Sequence, residues 1–121
     1  MLQVAAVLLV LLGVAHSWLG ERCILIRLFR RDDLPKLFGG SAFTVRTLRF
    51  AWHITTIAWF GFAAILWKAS SGPLEQPFVL AVIGCTSIAS GLLPLVHTRG
   101  RHLSWIVFFA VGGLCLWAGA A

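Results

Sequence analysis

Four long apolar stretches fill most of this 121-residue chain. Residues 2–19, 50–67, 76–96 and 103–120 each come close to the roughly 20 residues that cross a hydrocarbon core of about 30 Å as helix. The remainder cannot supply a water-facing surface: 60% of residues are hydrophobic and 12% charged, about half the charged share of a soluble domain. Strands with open edges cannot satisfy their backbone in lipid, so every stretch is predicted to be helical. The chain is therefore expected to be all-α, a four-helix transmembrane bundle forming one integral membrane domain over residues 1–121. The first stretch has no basic residue ahead of its apolar core and three further stretches follow it, so it reads as a retained span rather than a cleaved signal.

Basic residues are distributed very unevenly between the loops. Arg22, Arg27, Arg30, Arg31, Lys36, Arg46 and Arg49 lie in or beside the first, Arg99 and Arg101 in the third, and only Lys68 in the second. The bias of Lys and Arg toward cytoplasmic loops makes the first and third cytoplasmic and places both termini outside. The net charge of +6 is accounted for by topology and by anionic lipid head groups, and calls for no nucleic-acid partner. Trp18, Trp52 and Trp105 fall near the cytoplasmic boundary and Trp67 and Trp117 near the opposite one, as in an aromatic belt, with Trp59 at mid-depth.

Within the first loop, Ile24, Leu25, Ile26, Leu28 and Phe29 project onto one arc at 100° per residue, opposite Arg27, Arg30 and Arg31, with Arg22 out of place. This pattern predicts a short amphipathic helix lying in the membrane surface between helices 1 and 2. Asp32 and Asp33 before Pro35 read as the N-cap of a further turn, ended by Gly39 and Gly40, with Ser41 capping the second span. Small residues mark close helix contacts in lipid. Gly84, Ser87, Ser90 and Gly91 on the third span, and Ala110, Gly112 and Gly113 on the fourth, predict an antiparallel hairpin, with Pro94 placed to bend the third helix. Cys23, Cys85 and Cys115 show no disulfide or C-x-x-C pattern and read as reduced small residues.

Each helix brings one histidine to the cytoplasmic side: His16, His53, His97 and His102, with Glu21 at the same boundary. Imidazole and carboxylate suit a transition metal, and two facing histidines, His16 with His53, suit a haem. Intramembrane ionisable groups are costly and so mark candidate sites, for a metal, a cofactor or proton handling. Interfacial histidine that merely hydrogen-bonds the local chain is the competing reading, and under it alanine at His16 and His53 leaves stability unchanged. A single nearby glutamate disfavours a di-iron carboxylate centre, and no span carries the central charge expected of an ion-coupled transporter. No G-x-S-x-G is present, and Ser17 points away from its neighbour His16.

The segment from Ala15 through His16, Ser17, Trp18 and Leu19 to Gly20 and Glu21, followed after the basic loop by residues 48–59, resembles small uncharacterised four-span inner-membrane proteins of bacteria. That resemblance implies a bacterial inner-membrane home and singles out His16, Glu21, His53 and Trp52, but brings no activity. Two functional classes are thus expected: a structural or accessory membrane protein, as a homo-oligomer or a subunit of a larger complex, or a metal- or haem-binding protein using His16, Glu21, His53, His97 and His102.

Overall fold

A computed structural model describes all residues, 1–121, as helices and turns, with one isolated bridge between Leu37 and Gly40 and no strand. Helix α1 covers Leu2–Leu28, α2 Ala42–Ala69, α3 Gln76–Thr98 and α4 Ser104–Ala120. By length and apolarity α1, α2 and α3 are able to cross a membrane, whereas α4, equally apolar, has 17 residues. Helix α2 starts at Ala42, well before residue 50, because residues 42–49 interpose no glycine or proline to stop it.

The helices do not close into a bundle. α1 packs on α2, α2 on α3 and α3 on α4, and no other pair of helices comes together. The expected bundle is corrected to an open series of antiparallel neighbours. Its physical reason lies in where the small residues are. Gly13 and Gly20 admit Phe60 and Trp52 to α1, Gly61 admits Thr86 to α2, and Gly84 and Gly91 admit Leu116 and Phe109 to α3. Much of the remaining surface is bulky and bare: Leu8, Leu11, Phe62, Val107 and Leu114 are all exposed, and only 14 of 121 residues are buried. An apolar chain that turns its large side chains outward is consistent with a multi-pass membrane protein, whose solvent on those faces is lipid.

The α3–α4 hairpin forms as expected, with a narrower contact. A Cβ on Gly112 would stand 3.0 Å from the Gly84 carbonyl, so the two backbones touch there, while Gly113 faces open space and Ala110 is exposed. Ser90 is buried with Gly84 and Gly91, but Ser87 lines a groove shared with α2. The hairpin is closed by Arg99 in the left-handed region (φ 53°) and Gly100 (φ 77°), the Gly100 N–H bonding Leu95 O at 2.9 Å. Buried Thr98 donates to Pro94 O and accepts from the His102 N–H. The carbonyls left over at a helix end are thereby partly satisfied.

The first loop departs most from expectation. No separate surface helix forms, because α1 runs on through a π-helical stretch, Gly20–Leu25, into a last α-turn ending at Leu28. One residue added to the ladder re-phases everything after it by about 100°; Leu25, about 120° from Gly13 in a plain α-helix, returns to about 20°. It becomes one of the least exposed side chains in the protein, at 2%. Asp32, Asp33 and Pro35 start no helix either. Asp33 is held in a two-point pair by Arg31, Nε to Oδ1 at 2.8 Å. The turn at residues 37–40 has Phe38 at φ 54° and Gly39 at φ 88°, and Thr44 ties it to α2 through Pro35 O at 2.7 Å. Ser41 occupies the N-cap position of α2, but its hydroxyl makes no capping bond. All three cysteines are free.

Candidate functional site

A single polar seam joins α1 to α2, and it starts from the small residues of α1. Gly13, Ser17 and Gly20 recur at helical spacing on one face and let α2 approach. At Gly20 the approach is so close that a Cβ would overlap the Trp52 indole. Trp52, half-buried, is thereby held against α1. Its ring stacks on His16 with centroids 4.5 Å apart and planes 3° from parallel, and Trp59 meets the other side of His16 edge-on at 5.0 Å. The pair is reciprocal in hydrogen bonding: Trp52 Nε1–H donates to His16 O at 3.1 Å, and His16 Nε2 lies 3.3 Å from Trp52 O.

The next residue begins a continuous run of polar groups. Ser17 Oγ is 2.9 Å from His53 Nδ1 and 2.7 Å from Thr56 Oγ1, and Thr56 reaches the Gly13 carbonyl at 3.3 Å. His53 Nε2 faces Glu21 Oε2 at 3.4 Å, and Arg49 grips the same carboxylate through Oε1 at 2.9 Å. Arg49 also lies over the Phe29 ring, 4.9 Å from its centroid. Thr56 is buried while Arg49 and Glu21 are partly exposed, so the run passes from the basic end of the molecule into the hairpin.

Hydrogen counting leaves two ways to fill it. With both ring nitrogens protonated, His53 donates to Ser17 and to Glu21, Ser17 donates to Thr56, and Thr56 donates to Gly13 O. With only Nε2 protonated, Ser17 donates to Nδ1 and Thr56 donates to Ser17. One proton therefore reverses two hydroxyls without moving a heavy atom. The order Ser17, His53, Glu21 resembles a nucleophile, base and orienting acid, but Thr56 also occupies the Ser17 hydroxyl. Ser17 moreover lies within α1, where the backbone N–H groups that an oxyanion requires are spent on the helix.

The other two histidines lie apart from this seam. His97 Nδ1–H donates to Leu93 O one turn back on its own helix, at 2.9 Å. His102 is 2.8 Å from Ser104 Oγ and packs edge-on against Phe50, centroids 5.0 Å apart. No three His, Cys, Asp or Glu side chains are placed so that they could hold a metal ion. The convergence of His16, Glu21, His53, His97 and His102 expected from the sequence is thus corrected to one contact, His53 with Glu21. The physical reason is that each other imidazole is held by a stack or a local acceptor.

Comparison with known proteins adds nothing to this geometry. No family model, curated protein or solved structure matches the chain. Sequence reasoning set Ser17 aside, counted Arg49 only as a basic loop residue and did not weigh Thr56. The signal that would have found them is the small-residue face of α1, the same signal that located the α3–α4 contact.

Proposed function

We propose that this chain is a small four-span protein of the bacterial inner membrane, of the structural or accessory class, with its basic loops in the cytoplasm and both termini outside. The loop bias of nine basic residues against one supports the orientation. The seventeen residues of α4 reach about 25 Å at 1.5 Å per residue, enough to cross with slight thinning of the bilayer. The bacterial setting rests on the resemblance of residues 15–21 and 48–59. The observation that carries the accessory reading is that the α1–α2 seam spends its polar groups on one another. Stacked and bonded as they are, His16, Ser17, His53, Thr56, Glu21 and Arg49 hold two helices together and leave no ligand set open. In an open series of helices such a clamp fixes the α1–α2 angle, leaving the outer faces of α1 and α4 to lipid or to subunits of a membrane complex.

Metal analysis and an absorption spectrum of gently purified protein test this reading, with a His16→Ala/His53→Ala variant alongside. Metal-free, colourless protein in both, with the variant less stable, is expected. Stoichiometric metal or a haem band that the variant loses would overturn it. A second reading, proton handling, is favoured by the continuity of the run from Glu21 to Thr56. Vesicles containing the protein and a trapped pH dye decide it: His53→Gln should slow equilibration, and a wild-type rate equal to that of protein-free vesicles removes the idea.

A further inference from the structure

Away from the seam, the basic end holds a cavity of about 220 Å³ between the turn at residues 37–40, the first turns of α2 and the α3–α4 connection. Two arginines from distant parts of the chain, Arg46 and Arg101, line it, and no carboxylate does. Arg31 and Arg49 are each neutralised by a carboxylate, but Arg46 and Arg101 have no ion-pair partner and their guanidinium groups make no hydrogen bond. The hydroxyl of Thr98, also in the wall, is already committed to Pro94 O and the His102 N–H. The cavity thus presents unpaired cationic donors around a space large enough for a tetrahedral anion. Guanidinium is the side chain best matched to phosphate, through paired N–H donors.

We propose that this cavity binds a phosphate group, and that its source is an anionic phospholipid. Arg46 lies 22 residues before Lys68 along α2, about 33 Å at 1.5 Å per residue, which sets it at the phosphate level when Lys68 sits at the opposite surface. Beside it Leu37 and Phe38, 50% and 74% exposed, give the rim an apolar lip of the kind that enters the acyl-chain boundary. The assignment rests on the reading of this end as a membrane surface.

Native mass spectrometry of the full chain in detergent tests it, with phosphatidylglycerol, phosphatidylcholine and inorganic phosphate as separate probes. One phosphatidylglycerol should bind per chain, and Arg46→Gln/Arg101→Gln should weaken it about tenfold or more, two charge-assisted contacts being lost. Arg27→Gln/Arg30→Gln, which removes the same charge from exposed positions outside the cavity, should leave it within about twofold. Equal losses in the two double variants, or none in the first, would overturn the site. Inorganic phosphate bound with the same dependence on Arg46 and Arg101, without phosphatidylglycerol, would overturn the lipid source alone. Arg46→Lys/Arg101→Lys should keep part of the affinity, and if circular dichroism shows the glutamine variant unfolded, this lysine pair decides: affinity equal to wild type would overturn guanidinium recognition. Retention of the wild-type chain in carbonate-washed membranes tests the membrane reading separately.

Discussion

Replacing Gly20 by alanine adds one methyl where the structure has no room for it. The new Cβ would stand 2.5 and 2.7 Å from two carbons of the Trp52 indole, whereas carbon contacts are favourable at about 3.5–4.0 Å. Either α1 and α2 part by about 1 Å or the indole swings away from His16. The second course loses a stacked ring pair, about 1 kcal/mol, and the Trp52 Nε1–H bond to His16 O, about 1 kcal/mol more. Forcing a methyl into a packed contact costs about 1–3 kcal/mol in general, and the better helix propensity of alanine returns about 1 kcal/mol. On either course a net loss of about 1 kcal/mol, and at most about 2 kcal/mol, is therefore expected. Unfolding in bilayers or mild detergent, followed by tryptophan fluorescence, measures it. Two comparisons isolate the cause: Gly113→Ala, whose Cβ meets nothing within 4 Å, should be neutral or slightly stabilising, and Gly20→Ala made on a Trp52→Ala background should cost little. Gly20→Ala with wild-type stability, or with the same loss in the Trp52→Ala background, would refute the reasoning.

Three other outcomes are expected. Gly112→Ala, whose Cβ would press on the Gly84 carbonyl at 3.0 Å and on Ile88 at 2.5 Å, must separate two backbones and should destabilise the α3–α4 hairpin by about 1–3 kcal/mol, seen as a lower unfolding midpoint. Thr98→Val strands the His102 N–H and should cost about 1–3 kcal/mol by the same assay. The Arg31 guanidinium holds the Asp33 carboxyl below its ordinary value of 3.8, chiefly by hydrogen bonding, against a smaller opposing effect of desolvation and with its charge adding to the lowering. The pair therefore contributes above the ordinary aspartate range and is lost as pH falls through the lowered value. A carboxyl NMR titration should show Asp33 titrating below the ordinary aspartate value, and closer to it in high salt because both groups of the pair are exposed.

Much of the helix layout was readable because long apolar runs have one solution in lipid. Helices α3 and α4 begin and end within a few residues of expectation, and the glycines of the α3–α4 contact announce themselves by spacing. The first loop misled for a specific reason. Its projection assumed 100° per residue throughout, and the π-helical stretch at Gly20–Leu25 changes the phase, turning an apparent surface arc into the continuation of α1 and burying Leu25. The Trp52 stack on His16 was not legible in the sequence, because it depends on Gly20 of the facing helix leaving room for the indole. Histidine spacing along the chain does not give azimuth. Four imidazoles at one level require knowledge of each helix's rotation before convergence follows, and here His97 and His102 are turned to local acceptors. The bundle was assumed from helix number alone, whereas the helix contacts run only between chain neighbours, and Ala110 and Gly113 of α4 are left without a helix against them.

A double-mutant cycle between Ser17 and His53, measured as unfolding free energy in a bilayer, tests most directly whether the α1–α2 seam is a clamp. Ser17→Ala and His53→Ala should each destabilise the protein, and together by less than their sum, with a coupling of about 1 kcal/mol for the 2.9 Å bond between them. Additive losses would contradict the account, because they would mean that the two side chains do not hold α1 to α2.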